Sequence, residues 1–255
     1  MLLVMDVGNT NVTLGVFRGQ ELVASWRLRT EVHRTSDEYA VLLKSLLAGE
    51  GLSPSDISEA VLASVVPPLV AVLQESMRKH LGIRPLVVEA GIKTGVRICT
   101  DNPREVGADR ICNALAAYRL YGGPAIVIDF GTATTFDVVS EGGDYLGGAI
   151  APGIEVALEA LFQHAAKLPS IEFTRPKHAI GKNTVASMQS GLIFGYVGLV
   201  EGIVRRIKRE LGGRARVIAT GGQAEVIVRE SSMVEVVDPD LTLVGLRMIH
   251  ELNRA

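Results

Sequence analysis

The 255-residue sequence predicts an α/β protein made of two similar lobes, and three observations carry that expectation. The composition is that of a packed globular chain, with 47% hydrophobic, 21% charged and 5% aromatic residues. This excludes disorder and low complexity, and the length suits one large α/β domain or two small ones. An apolar segment with a distinctive ending occurs twice, about half a chain apart. In each half, strand-like segments come first and then alternate with helices, which gives each lobe a mixed sheet.

The elements follow in order. Leu2-Leu3-Val4-Met5-Asp6-Val7-Gly8-Asn9-Thr10 and Ala125-Ile126-Val127-Ile128-Asp129-Phe130-Gly131-Thr132-Ala133 share a pattern at an offset of 123 residues, measured from Asp6 to Asp129. Each is an apolar run long enough for one buried strand and ends in Asp-X-Gly-(Asn/Thr). Further strands follow at 13–17 and 22–28 in the first copy and at 135–139 and 145–150 in the second. Their connections, Arg18-Gly19-Gln20 and Gly142-Gly143-Asp144, suit hairpins. Thr35 as N-cap and Glu38 at the third helical position form a capping box that opens a helix ending near Gly49. A short strand at 60–65 precedes Pro67-Pro68, which starts a helix that Gly82 closes. An Ala-rich helix begins around Asp109. Then come a long helix at 184–211, a strand at 215–219, a helix at 223–229, a strand at 234–237 and a last helix at 241–253. The lobe boundary is placed near residue 118, giving lobes of 1–118 and 119–255.

The long helix carries Gly191, Gly195, Gly198 and Gly202 at spacings of 4, 3 and 4, along one face. Glycine inside a helix costs roughly 1 kcal/mol against alanine, so the four together cost on the order of 4 kcal/mol unless close packing compensates. That packing is either against the lobe's own sheet or against a second subunit.

The balance of 26 basic and 28 acidic residues, a formal charge of −2, disfavours nucleic acid or an anionic membrane as partner. The longest apolar stretch, 60–73, is broken by Ser64, Pro67 and Pro68, short of the roughly 20 residues that span a bilayer. The first residues reach Asp6 without the basic segment and cleavage site of a signal peptide, so a cytoplasmic location is expected. Cys99 and Cys112 are too few for a disulfide framework and read as buried thiols. The histidines at 33, 80, 164, 178 and 250 form no metal-ligand spacing.

The repeated Asp-X-Gly-(Asn/Thr) ending has a physical logic. Glycine permits a tight turn whose backbone N–H groups can face a phosphate, hydroxyls add donors, and an aspartate at the strand end can hold a cation beside that phosphate. A single copy reads equally as an ordinary strand terminus, whereas two in matching contexts suit turns facing each other across a nucleotide cleft. A third turn, Thr220-Gly221-Gly222, follows a strand and precedes a helix. It is either a simple link or an approach for a base or ribose to bare backbone. No G-x-G-x-x-G occurs. Gly181-Lys182-Asn183-Thr184 is not a P-loop, because Pro176 stands at the first glycine position and Asn183 separates the lysine from the hydroxyl residue.

Asp6-Val7-Gly8-Asn9-Thr10, Gly107-Ala108-Asp109-Arg110, Asp129-Phe130-Gly131-Thr132-Ala133-Thr134, Gly147-Gly148-Ala149-Ile150-Ala151-Pro152-Gly153 and Ala219-Thr220-Gly221-Gly222 closely resemble, in order and spacing, the motifs of type III pantothenate kinase. Ser64-Val65-Val66-Pro67 and Asn102-Pro103 also look like that family, and the resemblance runs from Met1 to the final helix. It is a compact member of the superfamily of acetate and sugar kinases, heat-shock chaperones and actin. The resemblance therefore implies two ribonuclease H-like lobes, the duplicated actin-like ATPase fold, with the nucleotide between them.

By that similarity ATP is held at Asp6, Val7, Gly8, Asn9, Thr10, Asn11, Val12 and Thr13, with Thr132, Gly221 and Gly222 from the second lobe. Asp6 helps to position Mg²⁺, through water, and Asp129 is associated with a monovalent cation, potassium or ammonium; the plain alternative gives both aspartates to Mg²⁺. Pantothenate is expected at Gly107, Ala108, Asp109, Arg110, Thr184 and Thr100. At the last position many members carry a tyrosine. Asp109 is the implied base for the primary hydroxyl and Arg110 the partner of the substrate carboxylate. The bare residues allow Asp109 as a carboxylate opposing a helix dipole and Thr184 as a helix N-cap. The implied partners are pantothenate and a second copy of the chain. A sugar or N-acetylhexosamine kinase and a non-catalytic regulatory factor are the competing readings. The former usually has a longer chain and a cysteine cluster, and the latter has no need of the three aspartates.

Overall fold

Three strands lead the first sheet: β1 (Leu2–Val7), β2 (Asn11–Arg18) and β3 (Glu21–Arg29). They form an antiparallel meander in which Leu2 pairs with Phe17 and Asp6 with Thr13. Then come α1 (Ser36–Gly49), β4 (Glu59–Ser64), α2 (Pro67–Leu81) and the two-residue β5 (Leu86–Val87), completing the order β3-β2-β1-β4-β5. These assignments come from a computed structural model, which describes residues 1–165 and 168–254. β4 runs parallel to β1, with Asp6 beside Ala63. Leu3, Met5, Val7, Val12, Leu14 and Val16 turn one face of the sheet toward Tyr39, Leu43, Leu69 and Leu73 of α1 and α2, and this is the first core. The capping box forms as read: the Thr35 hydroxyl accepts from the Glu38 amide and the Glu38 carboxylate accepts from the Thr35 amide. Gly82, at φ +70°, closes α2.

After α3 (Ala108–Tyr121), the pattern is written again as β6 (Ala125–Phe130), β7 (Ala133–Val139) and β8 (Tyr145–Pro152). Next follow α4 (Ile154–His164), α5 (Thr184–Glu210), β9 (Arg216–Gly221), α6 (Ala224–Val228), β10 (Val236–Val237) and α7 (Leu241–Asn253). The second sheet has the order β10-β9-β6-β7-β8, the same arrangement of a central first strand between an antiparallel hairpin and parallel strands. Ile126, Ile128 and Phe136 pack with Leu192, Tyr196, Val200 and Val204 of α5 to form the second core. An 18-residue window of α5 reaches a mean hydropathy of 1.2, and this buried stripe accounts for part of it.

Two features depart from the sequence reading. The chain divides into one compact unit of Met1–Val96, Asp101–Ala116 and the chain from Leu241 onward, and a second of Arg97–Thr100 and Ala117–Asp240. The last helix, expected in the lobe 119–255, therefore belongs with the first sheet. Leu243 reaches Gly15 of β2, and Gly245 lies against the backbone of Cys112 on α3 so closely that a Cβ would overlap the Cys112 carbonyl. Helix α4, absent from the sequence reading, is short and mostly exposed, with only Ile154 buried.

The glycine face of α5 does not lie on the sheet. Gly191, Gly195 and Gly198 are exposed, and a Cβ at any of them would meet nothing within 4 Å. Packing inside the unit is thereby excluded as their reason, since the opposite side of the helix makes the core contact. Cys99 is also exposed rather than buried, and only Cys112 is a core thiol.

Replacing Gly245 with alanine is expected to destabilise the protein by roughly 1–3 kcal/mol through overpacking of α7 on α3. In thermal denaturation each kcal/mol corresponds to roughly 2–4 °C in a chain of this size. An unchanged unfolding midpoint would mean that α7 does not depend on this contact.

Candidate active site

The first phosphate-type turn, 8–10, is set by the β1–β2 hairpin. The Gly8 amide donates to the Asn11 carbonyl at 2.9 Å, and a Cβ on Gly8 would stand 3.1 Å from that oxygen, so the turn closes tightly around a bare α-carbon. Thr30, just beyond β3, fastens it from the side. Its amide donates to the Thr10 carbonyl at 2.9 Å and its hydroxyl to the Gly8 carbonyl at 2.7 Å. With those carbonyls engaged, Asn9, Thr10 and Asn11 are left exposed at the tip, while Asp6 is half-buried one pleat back. Thr30 carried no sequence signal, because its partners, Gly8 and Thr10, lie far away along the chain, Gly8 by 22 residues.

Helix α3 brings the second carboxylate to the same unit. Asp109 stands in its first turn, and its Oδ1 accepts from the Arg110 amide at 2.9 Å. A Cβ on Gly107 would overlap Asp109 Oδ1 and stand 3.7 Å from Cγ1 of Val65, at the end of β4. The glycine thus lets the carboxylate lie back along the chain near the strand ends. One turn further, Cys112 is fully buried, and its thiol is pushed well above the ordinary range, first by burial and then by the negative charges of Asp6 and Asp109. Val65, beside which the Asp109 carboxylate folds back, donates its amide to the Val7 carbonyl at 3.0 Å, so the end of β1 that carries Asp6 and the candidate base lie in one locality. Gly107, Ala108, Asp109 and Arg110 are all half-buried there.

In the second unit the β6–β7 turn repeats the design. The Gly131 amide donates to the Ala133 carbonyl at 3.0 Å, and Thr132 is exposed at the tip. The Gly153 amide donates to the Thr132 carbonyl at 3.0 Å, and a Cβ at Gly153 would overlap the carbonyl oxygens of Gly131 and Thr132. Tyr196 of α5 donates to the Pro152 or Gly153 carbonyl, at 2.9 and 3.0 Å, holding that junction. β9 pairs with β6 so that Gly221 lies opposite Phe130. Gly221 has φ +90°, and a Cβ on it would come within 2.6 Å of both Asp129 Oδ1 and the Phe130 carbonyl. The second and third turns are thus one continuous surface, and Gln223 ties it to α4 through Glu155 at 2.7 Å.

The remaining expected site residues lie in the second unit. Thr184 opens α5 but is not its cap: Asn183 caps it, accepting from the Ala186 amide at 2.8 Å. Thr184 is exposed, its hydroxyl without that duty. Thr100 lies against Gly147 of β8, and its hydroxyl oxygen is buried without a hydrogen-bond partner. Thr134 has the same feature beside the second turn. Among the described residues no cluster of three or more His, Cys, Asp or Glu stands ready for a metal. Mg²⁺ in nucleotide sites is held by one or two carboxylates, the phosphates and water rather than by a protein cage. Bare turns with an adjoining carboxylate fit a Mg²⁺-bound nucleotide on those terms.

The family profile described as type III pantothenate kinase matches residues 2–206. The chain is 56% identical over 253 residues to the type III pantothenate kinase of Moorella thermoacetica, covering 99% of this chain and all of that one. It is 52% identical over 255 residues to that of Myxococcus xanthus, with both chains fully covered. Among solved structures, the inorganic polyphosphate/ATP-glucomannokinase of Arthrobacter sp. strain KM superimposes with a TM-score of 0.53 at 15% identity, covering 99% of each chain. That likeness concerns the fold, which is the two-lobed fold of the actin-like ATPases and sugar kinases.

The contrast between the two cysteines has a direct check, since the thiolate is the reactive form. At pH 8 a thiol reagent is expected to label Cys99 alone in the native protein and both cysteines in denaturant. Rapid native labelling of Cys112 would contradict its burial beside the two carboxylates.

Proposed function

The chain belongs to the type III pantothenate kinase family and is an enzyme that phosphorylates pantothenate with ATP in coenzyme A biosynthesis; from that premise we propose the residues that do so. The triphosphate of ATP engages the backbone of Asp6–Thr13 in the first unit and of Thr132 in the second, and the nucleoside lies at Gly221 and Gly222. The clamped turns support this, because the close approaches at Gly153 and Gly221, where a Cβ would overlap oxygens of the chain itself, fix the positions of the exposed Thr132 tip and of the Gly221 backbone. Asp6 holds Mg²⁺ through water, and the bound ion would supply charge neutralisation between the phosphates. Asp129 holds a monovalent cation, favoured by the Phe130 carbonyl oxygen that converges with its carboxylate on Gly221.

The observation that supports the chemistry is that Asp109 folds back toward Val65, whose amide donates to the carbonyl of Val7, the neighbour of Asp6. That position favours Asp109 as the base beside the turn proposed for the phosphates. A carboxylate is far too weak a base to ionise an alcohol beforehand. Asp109 therefore orients the primary hydroxyl of pantothenate and accepts its proton late, as the bond to phosphorus forms in a loose transition state. Arg110 meets the substrate carboxylate in a charge-assisted pair. Thr100 and Thr184 border the rest of the molecule, the buried hydroxyl of Thr100 being suited to a polar group of the substrate.

The enzyme works in the cytoplasm as a homodimer built on the glycine face of α5. That face is open, and Val156, Leu161 and Phe162 of α4 and Ile150 of β8 add exposed apolar surface to the same unit. Thr184, at the start of α5, would then serve a site completed by the partner copy.

Two experiments test these assignments. In an ATP-dependent assay, pantothenate is expected to be turned over while a panel of sugars is not, faster with potassium than with sodium. Asp109→Asn should lower kcat by about 10²-fold or more with ATP affinity nearly intact. A near-normal kcat in that variant would remove Asp109 from the mechanism, and equal rates in the two salts would remove the monovalent site. For the assembly, Gly195→Glu meets no intrachain obstacle, so it should yield a folded monomer with reduced activity, read by light scattering on a sizing column. A dimer unaffected by that charge would place the interface elsewhere.

A further inference from the structure

The nucleotide turns contain no cationic side chain of their own: residues 6–13, 129–134 and 219–223 include no lysine, arginine or histidine. A triphosphate brings several negative charges, and phosphoryl transfer spreads charge over the equatorial oxygens, where arginine is a common stabiliser. The fold places two arginines beside the first turn. Thr13 lies opposite Asp6 on one side and opposite Arg27 of β3 on the other, so the three form one row across the sheet. Asn11 lies opposite Arg29 in the same ladder.

The side each residue takes follows from strand alternation. Trp26 and Leu28 pack with Met5, Val7, Val12 and Leu14 in the first core. Arg27 and Arg29 therefore stand on the opposite face, together with Asp6 and Thr13, and both are exposed. Neighbouring strands are about 4.8 Å apart, which sets Arg27 roughly 10 Å from Asp6, backbone to backbone. An extended arginine carries its guanidinium roughly 7 Å from its Cα, enough to cross over Thr13 toward a phosphate in front of the turn. Nor is β3 free to drift, because the two hydrogen bonds from Thr30, the residue after β3, bind its end to Gly8 and Thr10.

We infer that Arg27 contacts the phosphates of the nucleotide held at the Asp6–Thr13 turn and supplies the fixed positive charge that the turn lacks. Arg29, at the rim, raises the local potential for the approaching anion. The guanidinium is suited to this place, since its planar fork matches phosphate oxygens in a bidentate manner and its charge is permanent. The inference rests on the assignment of ATP to this turn, and the two fail separately.

Arg27→Gln should raise KM for ATP by about tenfold or more, with KM for pantothenate within about twofold of the original. Arg27→Lys, which keeps the charge and loses the fork, should fall between. Arg18→Gln, at the far end of the β2–β3 hairpin opposite Glu21, should change neither constant. Calorimetric titration with ATP in the absence of pantothenate should show the same loss of affinity for Arg27→Gln, and the thermal unfolding midpoint should be unchanged because the side chain is exposed. A KM for ATP within twofold of the original in Arg27→Gln would overturn the inference while leaving the nucleotide assignment standing. Absence of ATP binding to the unsubstituted chain would instead overturn that assignment.

Discussion

Close approach of backbone to backbone at the strand ends is the constraint on which the rest of this structure depends. Gly153 sits against the carbonyls of Gly131 and Thr132, and Gly221 sits against the Asp129 carboxylate and the Phe130 carbonyl. Neither place can hold a side chain without moving a polar oxygen. Because both α-carbons are bare, three chain segments meet at one edge of the second sheet, and carbonyl and carboxylate oxygens converge there. Thr30 performs the equivalent fastening in the first unit by hydrogen bonds rather than by omission of a Cβ. Each turn is thus held from outside, which leaves its tip residues, Asn9 and Thr10 in one copy and Thr132 in the other, exposed to a ligand. Such preorganisation matters for phosphoryl transfer, where the protein contributes position and charge and little covalent chemistry.

The charge arrangement follows from the same geometry. The turns carry no cationic side chain of their own, so in the proposals above positive charge comes from neighbouring elements, Arg110 of α3 for the substrate carboxylate and Arg27 of β3 for the phosphates. With a formal charge of −2, the chain offers no net positive charge to attract phosphate. Discrimination then rests on where individual donors stand. The carboxylates need separate placement as well, and Gly107 lets Asp109 fold back toward the end of β4 where a larger residue would displace it.

What the sequence showed and what it hid divide along contact distance. The two apolar runs ending at Asp6 and Asp129 carry their whole meaning within ten residues, and they became the central strands of two sheets with matching order. The capping box at Thr35 and the left-handed Gly82 are likewise local devices, and both formed where read. The destination of α7 was not legible. Its amphipathic pattern says that one face is buried and cannot say beneath which sheet; the deciding contact joins Gly245 to Cys112, far away in sequence. Thr30 was hidden for the same reason. A threonine after a strand has no signature until Gly8, 22 residues earlier, and Thr10 are placed beside it. The exposure of Cys99 runs against the rule that an isolated cysteine is usually buried; its segment is held by backbone hydrogen bonds to Tyr145 and by the Arg97–Asp144 pair, which leave the thiol outside the core.

The glycine face of α5 remains a cost that the single chain does not offset. Three of its four glycines look onto open space, so the roughly 1 kcal/mol that each subtracts from helix stability returns nothing in intrachain packing. The core side of the helix, with Leu192, Tyr196, Val200 and Val204, would tolerate alanine on the far side without any clash. A helix whose opposite side already supplies its burial has no conformational need of glycine there. The residue type is explained if something must approach the helix backbone from outside, and a second copy of the same face, equally bare, meets that need by symmetry. Self-association through this face, as proposed above, would place two copies of α5 in contact and give the bare helix backbone the close neighbour that the single chain does not supply.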